Sequence, residues 1–163
     1  MKRFVSLFIL ILLFCSCGYE TNTKIKPSLP LTITAKQREN GSDFTARIDQ
    51  NECEIILGEN HSLSGTRLYF SSNGNKAEIG NFSRDIKSGT FPAFETFFKA
   101  IQTICNNDIT ALKTENGEKY TIDEMTIMVY YDKDTEQIIG IGTEESGQSF
   151  YFDIVSLRPS DEI

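Results

Sequence analysis

The stretch Phe91-Pro92-Ala93-Phe94-Glu95-Thr96-Phe97-Phe98-Lys99-Ala100-Ile101-Gln102-Thr103-Ile104-Cys105 decides how the rest of the chain is read. Phe91, Phe94, Phe98, Ile101 and Cys105 are spaced 3, 4, 3 and 4, with Phe97 and Ile104 alongside. That is the period of one face of an amphipathic helix. Pro92 suits the first turn, where a missing N–H leaves nothing unpaired that would otherwise be paired. Gly89-Thr90 suits the entry and Asn106-Asn107 the end. Three Phe on one side make a bulky stripe that needs a large concave apolar partner, and the inner face of a curved sheet supplies one.

Outward from the helix the period is two. Leu31, Ile33 and Ala35 alternate with Thr32, Thr34 and Lys36; Phe44, Ala46 and Ile48 alternate with Thr45, Arg47 and Asp49. Cys53, Ile55 and Leu57 alternate with Glu52, Glu54 and Ile56, and Leu68 and Phe70 with Arg67, Tyr69 and Ser71. One apolar and one polar face per run is the pattern of antiparallel strands buried on one side. Residues 111–115, 119–123, 125–132, 138–143 and 149–155 continue it. Asn40-Gly41, Asn73-Gly74 and Asn116-Gly117 lie between strand-like runs, and Asn-Gly is the preferred type I′ hairpin pair. The expected fold class is α+β: a strongly curved antiparallel sheet of about ten strands, an open barrel, with one amphipathic helix packed in its concave face.

The chain has 163 residues, 16 basic and 23 acidic, for a net charge of −7. One domain fits that length. A nucleic-acid partner is not expected, because phosphate neutralisation needs a basic footprint. Met1-Lys2-Arg3 is a short basic start, and residues 4–14 are apolar except for Ser6. At about 1.5 Å per residue such a helix falls well short of the ~30 Å hydrocarbon core, so it reads as a signal-peptide segment. Leu13-Phe14-Cys15-Ser16-Cys17-Gly18 resembles the lipobox of bacterial lipoproteins, in which a small residue precedes the lipidated cysteine. That resemblance implies lipidation at Cys17 and a mature chain of 147 residues with net charge −9 once Lys2 and Arg3 are removed. Membrane contact is then expected through acyl chains. Residues 1–16 are the signal, 17–30 the lipidated Cys and a polar tether, 31–157 the globular domain and 158–163 an acidic tail.

The strand order, the single Phe-rich helix and the Leu63-Ser64-Gly65-Thr66-Arg67-Leu68 entry into a strand resemble the LolA/LolB type of lipoprotein-localisation factor. Those carriers begin the domain with a helix, whereas here a strand follows the tether. The resemblance implies a concave face that holds a lipid or lipoprotein acyl chain. Its cavity would be lined by Phe44, Ile48, Leu68, Phe70, Ile127, Val129, Phe150 and Phe152, and closed by Phe94, Phe98 and Ile101 from the helix. The same residues can equally fill one another's space as a solid core. The two expectations are therefore a membrane-anchored envelope lipoprotein binding a lipophilic or amphiphilic ligand, and a structural or protein-interaction lipoprotein with no ligand.

Catalysis is not expected. His61 sits in Gly58-Glu59-Asn60-His61-Ser62 with no G-x-S-x-G elbow and no recognisable nucleophile. Cys53, His61 and Cys105 lack the spacing of a zinc site, and Asp132, Asp134 and Glu136 lack the glycine and further oxygens of a calcium loop. No metal or other cofactor is expected. Cys53 and Cys105 both lie on apolar faces. Outside the cytoplasm they can form a disulfide tying helix to sheet, or remain two buried thiols.

Overall fold

A computed structural model of the chain describes residues 26–106 and 108–160. The expected signal, Cys17, most of the tether and residues 161–163 of the acidic tail lie outside the described residues. Among the described residues there are eleven strands and one helix. The strands are β1 (Leu31–Gln37), β2 (Asp43–Ile48), β3 (Glu52–Leu57), β4 (Arg67–Ser71), β5 (Gly74–Ile79), β6 (Phe82–Ile86), β7 (Leu112–Thr114), β8 (Gly117–Ile122), β9 (Met125–Tyr131), β10 (Ile138–Glu145) and β11 (Gln148–Pro159). The helix, α1 (Pro92–Cys105), lies between β6 and β7 in the chain.

All eleven strands form one antiparallel sheet in the order β6-β5-β4-β3-β2-β1-β11-β10-β9-β8-β7. The chain starts in the middle at β1, meanders outward to β6, crosses by α1 to the opposite edge, and meanders back to β11 beside β1. The sheet does not close, since β6 and β7 stand at opposite edges. Leu31 pairs with Pro159 and Gln37 with Phe152, so Arg158 and Pro159 belong to the sheet.

The alternation in the sequence is the observed one. Leu31, Ile33, Ala35, Phe44, Ala46, Ile48, Cys53, Ile55, Leu57, Leu68 and Phe70 are all buried, on the face that carries the helix. Pro92 opens the helix at its first turn. Glu95 holds the entry, its carboxylate accepting from the Gly89 N–H at 2.8 Å and the Ser88 hydroxyl at 2.7 Å.

The sheet's eleven strands accord with an expected count of about ten. β6 is the piece least visible in the sequence: Phe82 to Asp85 are exposed on both faces, so burial imposes no alternation there. The Asn-Gly pairs are not type I′ turns, which need positive φ at both central residues. Gly41, Gly74 and Gly117 have positive φ, and Asn40, Asn73 and Asn116 do not. Ser71 pairs with Gly74 and Thr114 with Gly117, so Ser72-Asn73 and Glu115-Asn116 form the loops and each glycine takes the first position of the next strand. Ser71 sets this one-residue offset at the first of them: its hydroxyl accepts from Asn73 N at 3.2 Å and donates to Gly74 O at 3.0 Å. Ser146-Gly147 is the loop with positive φ at both positions.

Gly117 has φ +157°, and a Cβ there would collide with the Val129 carbonyl. Gly65 has φ +78° with open space around it. Gly117→Ala is expected to cost about 3 kcal/mol or more and Gly65→Ala only about 1 kcal/mol, read as shifts in the urea unfolding midpoint.

Candidate functional site

Of the eleven residues expected to line or close a cavity, ten are no more than 8% exposed: Phe44, Ile48, Leu68, Phe70, Phe94, Phe98, Ile101, Ile127, Val129 and Phe152. Phe150 is half-buried and packs on the same cluster. Their rings meet edge-on. Phe44 lies 5.1 Å from both Phe94 and Phe97, and Phe152 lies 4.8 Å from Phe97 and 5.9 Å from Phe44. Phe97 stands at the centre of this cluster and is fully buried, yet it was not among the eleven. Its signal is present, since Phe97 follows Phe94 by three and precedes Ile101 by four.

Of the eleven, Ile48 and Phe70 line a surface cleft of about 780 Å³. That cleft lies at the end of the sheet where β1 begins and β11 finishes. Ile48, Cys53 and Phe70 reach it from the buried face; Arg47, Glu54 and Tyr69 reach it from the opposite face; Pro30 and Ser160 flank it. Sequence reasoning missed its polar half. Arg47, Glu54 and Tyr69 sit at outward positions of alternating strands, where polar residues carry no signal beyond solvation.

The polar half is a cross-strand ladder. Glu54 pairs with Arg47 at 3.4 Å and Arg67 at 3.2 Å. The Tyr69 hydroxyl lies 3.2 Å from both Glu54 and Glu78, and Lys76 pairs with Glu78 at 2.6 Å. The hydrogen bond from Lys76 holds the Glu78 carboxyl below its usual range. The cations of these pairs are about half exposed, so each pair contributes little energy individually, but together they fix Arg47 and Tyr69 at the mouth of the cleft.

The chain enters the domain at the same end. Lys26 Nζ donates to the carbonyls of Asn106 at 2.9 Å and Ile109 at 2.7 Å, just beyond the C-terminus of α1. A cation suits that end of a helix. The same ammonium lies 5.5 Å above the Tyr120 ring, a cation–π placement. Leu29 packs against the core, so residues 26–30, assigned to the tether by composition, lie on the domain. Gln102 ties α1 to this end, donating to the Gln50 carbonyl at 2.7 Å.

The remaining candidates hold no assembled chemistry. His61 is half-buried, its ring 6.3 Å from that of Phe94, and its Nδ1 accepts from Leu63 N at 3.0 Å. Asp132 Oδ1 accepts from Asp134 N, Thr135 N and the Thr135 hydroxyl. These bonds hold its carboxyl below the usual range and use an oxygen a cation would need. Among the described residues no group of three or more His, Cys, Asp or Glu could hold a metal, and no helix is long and apolar enough to cross a membrane. Glu118 accepts from the Tyr120 and Tyr131 hydroxyls at 3.0 and 2.8 Å. Burial, with the Glu118 charge second for Tyr120, pushes both phenols up.

Cys53 and Cys105 are free thiols. Burial pushes both up, Cys105 to about 11.

No protein-family model matches the chain, and no curated protein matches it.

Two outcomes follow from this packing. Phe97→Ala is expected to destabilise the fold by about 3–5 kcal/mol, whereas Phe82→Ala, at a residue 84% exposed, should stay within about 0.5 kcal/mol; calorimetry distinguishes them. The thiols give a pH dependence. Their folded pKa values lie above the unfolded ones, so stability is at its full value below about pH 8.5 and falls as pH rises toward 11. Urea midpoints from pH 7 to 10 should decrease, and a Cys53→Ala, Cys105→Ala double variant should lose part of that slope.

Proposed function

We propose that this chain is a lipid-anchored lipoprotein of the bacterial cell envelope, acylated at Cys17. Its domain is a LolA/LolB-like open barrel that binds a lipophilic or amphiphilic ligand without catalysis. The observation that carries the reading is the cleft of about 780 Å³ beside the chain's entry, with an apolar floor of Ile48, Cys53 and Phe70 and a charged rim. An amphiphile needs both halves. The floor residues are at most 2% exposed, so the ligand lies along the rim of the core, and the centre of the core stays filled by rings.

Burial supports the strong curvature and the helix in a concave face. Fully buried residues run from Leu68 on β4 to Tyr120 on β8, across eight adjacent strands. At about 4.8 Å per strand those eight strands extend ~34 Å when flat. One helix is only ~10–12 Å wide, so a single helix covers such a width only if the sheet wraps round it.

A second reading, a protein-interaction lipoprotein, is favoured by the β5–β6 hairpin. Ile79 and Phe82 pair across its tip and are 53% and 84% exposed, which puts two large apolar side chains side by side in water.

Native mass spectrometry of the mature chain, purified without detergent, decides between them. The ligand reading expects a mass excess of a few hundred daltons that organic extraction removes. A bare mass overturns it and leaves the interaction reading. Intact-mass analysis of the protein made in bacterial envelopes tests the anchor separately, through the acyl mass on the peptide beginning at Cys17.

A further inference from the structure

Resting on the reading of Cys17 as the anchored residue, we propose that the cleft above Ile48, Cys53 and Phe70 faces the anchoring bilayer. Its occupant is a phospholipid of that bilayer carrying an amine in its head group.

Three placements carry this. Pro30, where the chain enters β1, and Ser160, where it leaves β11, both flank the cleft, and Ser160 N donates to the Pro30 carbonyl at 3.1 Å. Lys26 is fixed by two hydrogen bonds at the end of α1, and Gln102 of that helix is bonded to the β2–β3 turn whose Asp49 and Glu52 form part of the rim. The anchor therefore pulls on the end of the sheet that bears the cleft. From Cys17 to Lys26 the chain spans at most ~30 Å, less than the ~35 Å breadth of a domain this size. That leash keeps the cleft on the membrane side, while the Ile79–Phe82 tip stands at the other end of the strands.

The rim selects the head group. Glu54 is paired with Arg47 at 3.4 Å and with Arg67 at 3.2 Å, whereas Asp49 and Glu52 line the cleft with no cation paired to them among the ion pairs of the described residues. The excess of carboxylates repels a head group carrying only a phosphate and attracts one that also carries an ammonium. The first part of the acyl chain lies along the rim, over Ile48, Cys53 and Phe70, which are at most 2% exposed.

The test uses the acylated full chain reconstituted in vesicles of phosphatidylethanolamine and phosphatidylglycerol. The probe is a phosphatidylethanolamine with a photoactivatable diazirine on one acyl chain. After irradiation, labelled peptides are mapped by mass spectrometry. Label is expected on the peptides carrying Ile48, Cys53 and Phe70, several-fold above those carrying Ile79 and Phe82. A phosphatidylglycerol probe is expected to label the cleft several-fold less. Inserting about twenty Gly/Ser residues between Tyr19 and Glu20 lets the domain turn away and should lower cleft labelling several-fold without altering the unfolding midpoint. Equal labelling of both ends, no head-group preference, or indifference to tether length overturns the proposal. If the cleft is labelled only by a short-chain, water-soluble form of the probe, ligand binding stands and the bilayer-facing orientation falls. If neither probe labels it, the binding reading falls and takes this inference with it.

Discussion

The structure depends on the seating of Phe97 between Phe44 of β2 and Phe152 of β11. Those strands flank β1, and each belongs to a different meander. The three rings therefore join the helix to both halves of the sheet at their seam. Each edge-to-face pair contributes about 0.5–1.5 kcal/mol beyond area burial, and the cluster also removes several of the largest side chains from water. Ala93 and Ala100 on the helix, with Ala35 and Ala46 on β1 and β2, belong to the same buried cluster. Small residues there leave the volume the rings need. The bulk of the stripe thus has a partner, but that partner is other side chains.

The order of the strands has consequences at both the centre and the edges. The two ends of the domain, β1 and β11, pair with each other in the middle of the sheet. That pairing joins residues far apart in sequence, which makes folding slow relative to a helical domain of equal length. It also means that a pull at Pro30 acts on a strand hydrogen-bonded on both sides, where an edge strand would have one ladder only. The unpaired edges fall to β6 and β7. β6 presents Arg84 and Asp85, and β7 is three residues long with Lys113 in its centre. Charge and shortness are the usual defences of an open edge against pairing with another chain.

Much of this is legible in the sequence. The inward positions of β1 to β4 followed from a period of two, because each of those strands has one face under the helix and the other in water. The helix followed from its stripe and from Pro92. The reading weakened where the physical constraint weakens. β6 is exposed on both faces, so no alternation marks it. The turns at Asn73-Gly74 and Asn116-Gly117 are read one residue too late, because a dipeptide preference does not say which residues pair across the loop; Ser71 decides that at the first of these two, and the close approach of Gly117 to Val129 at the other. The cleft was half legible. Ile48 and Phe70 were found as inward residues, while Arg47, Glu54 and Tyr69 are outward and polar, as most surface residues are. Lys26 gave no sign, since its partners are main-chain carbonyls some eighty residues away.

A filled core does not argue against a ligand at its rim. Interiors are packed to the density of organic crystals, so a cavity wide enough for a whole acyl chain would forfeit the contacts that seat Phe97. A cleft at the end of the strands costs nothing comparable, because its polar lining already faces water while Ile48, Cys53 and Phe70 keep their packing. It also places polar and apolar groups within one concavity, since the strands end and both faces of the sheet become accessible from one direction. Arg47 and Ile48 are neighbours in sequence on opposite faces, as are Glu54 and Cys53, and Tyr69 and Phe70. In the body of the sheet such pairs are separated by the backbone. At its end they converge on one space, and period two then yields an amphiphilic surface instead of two unrelated ones.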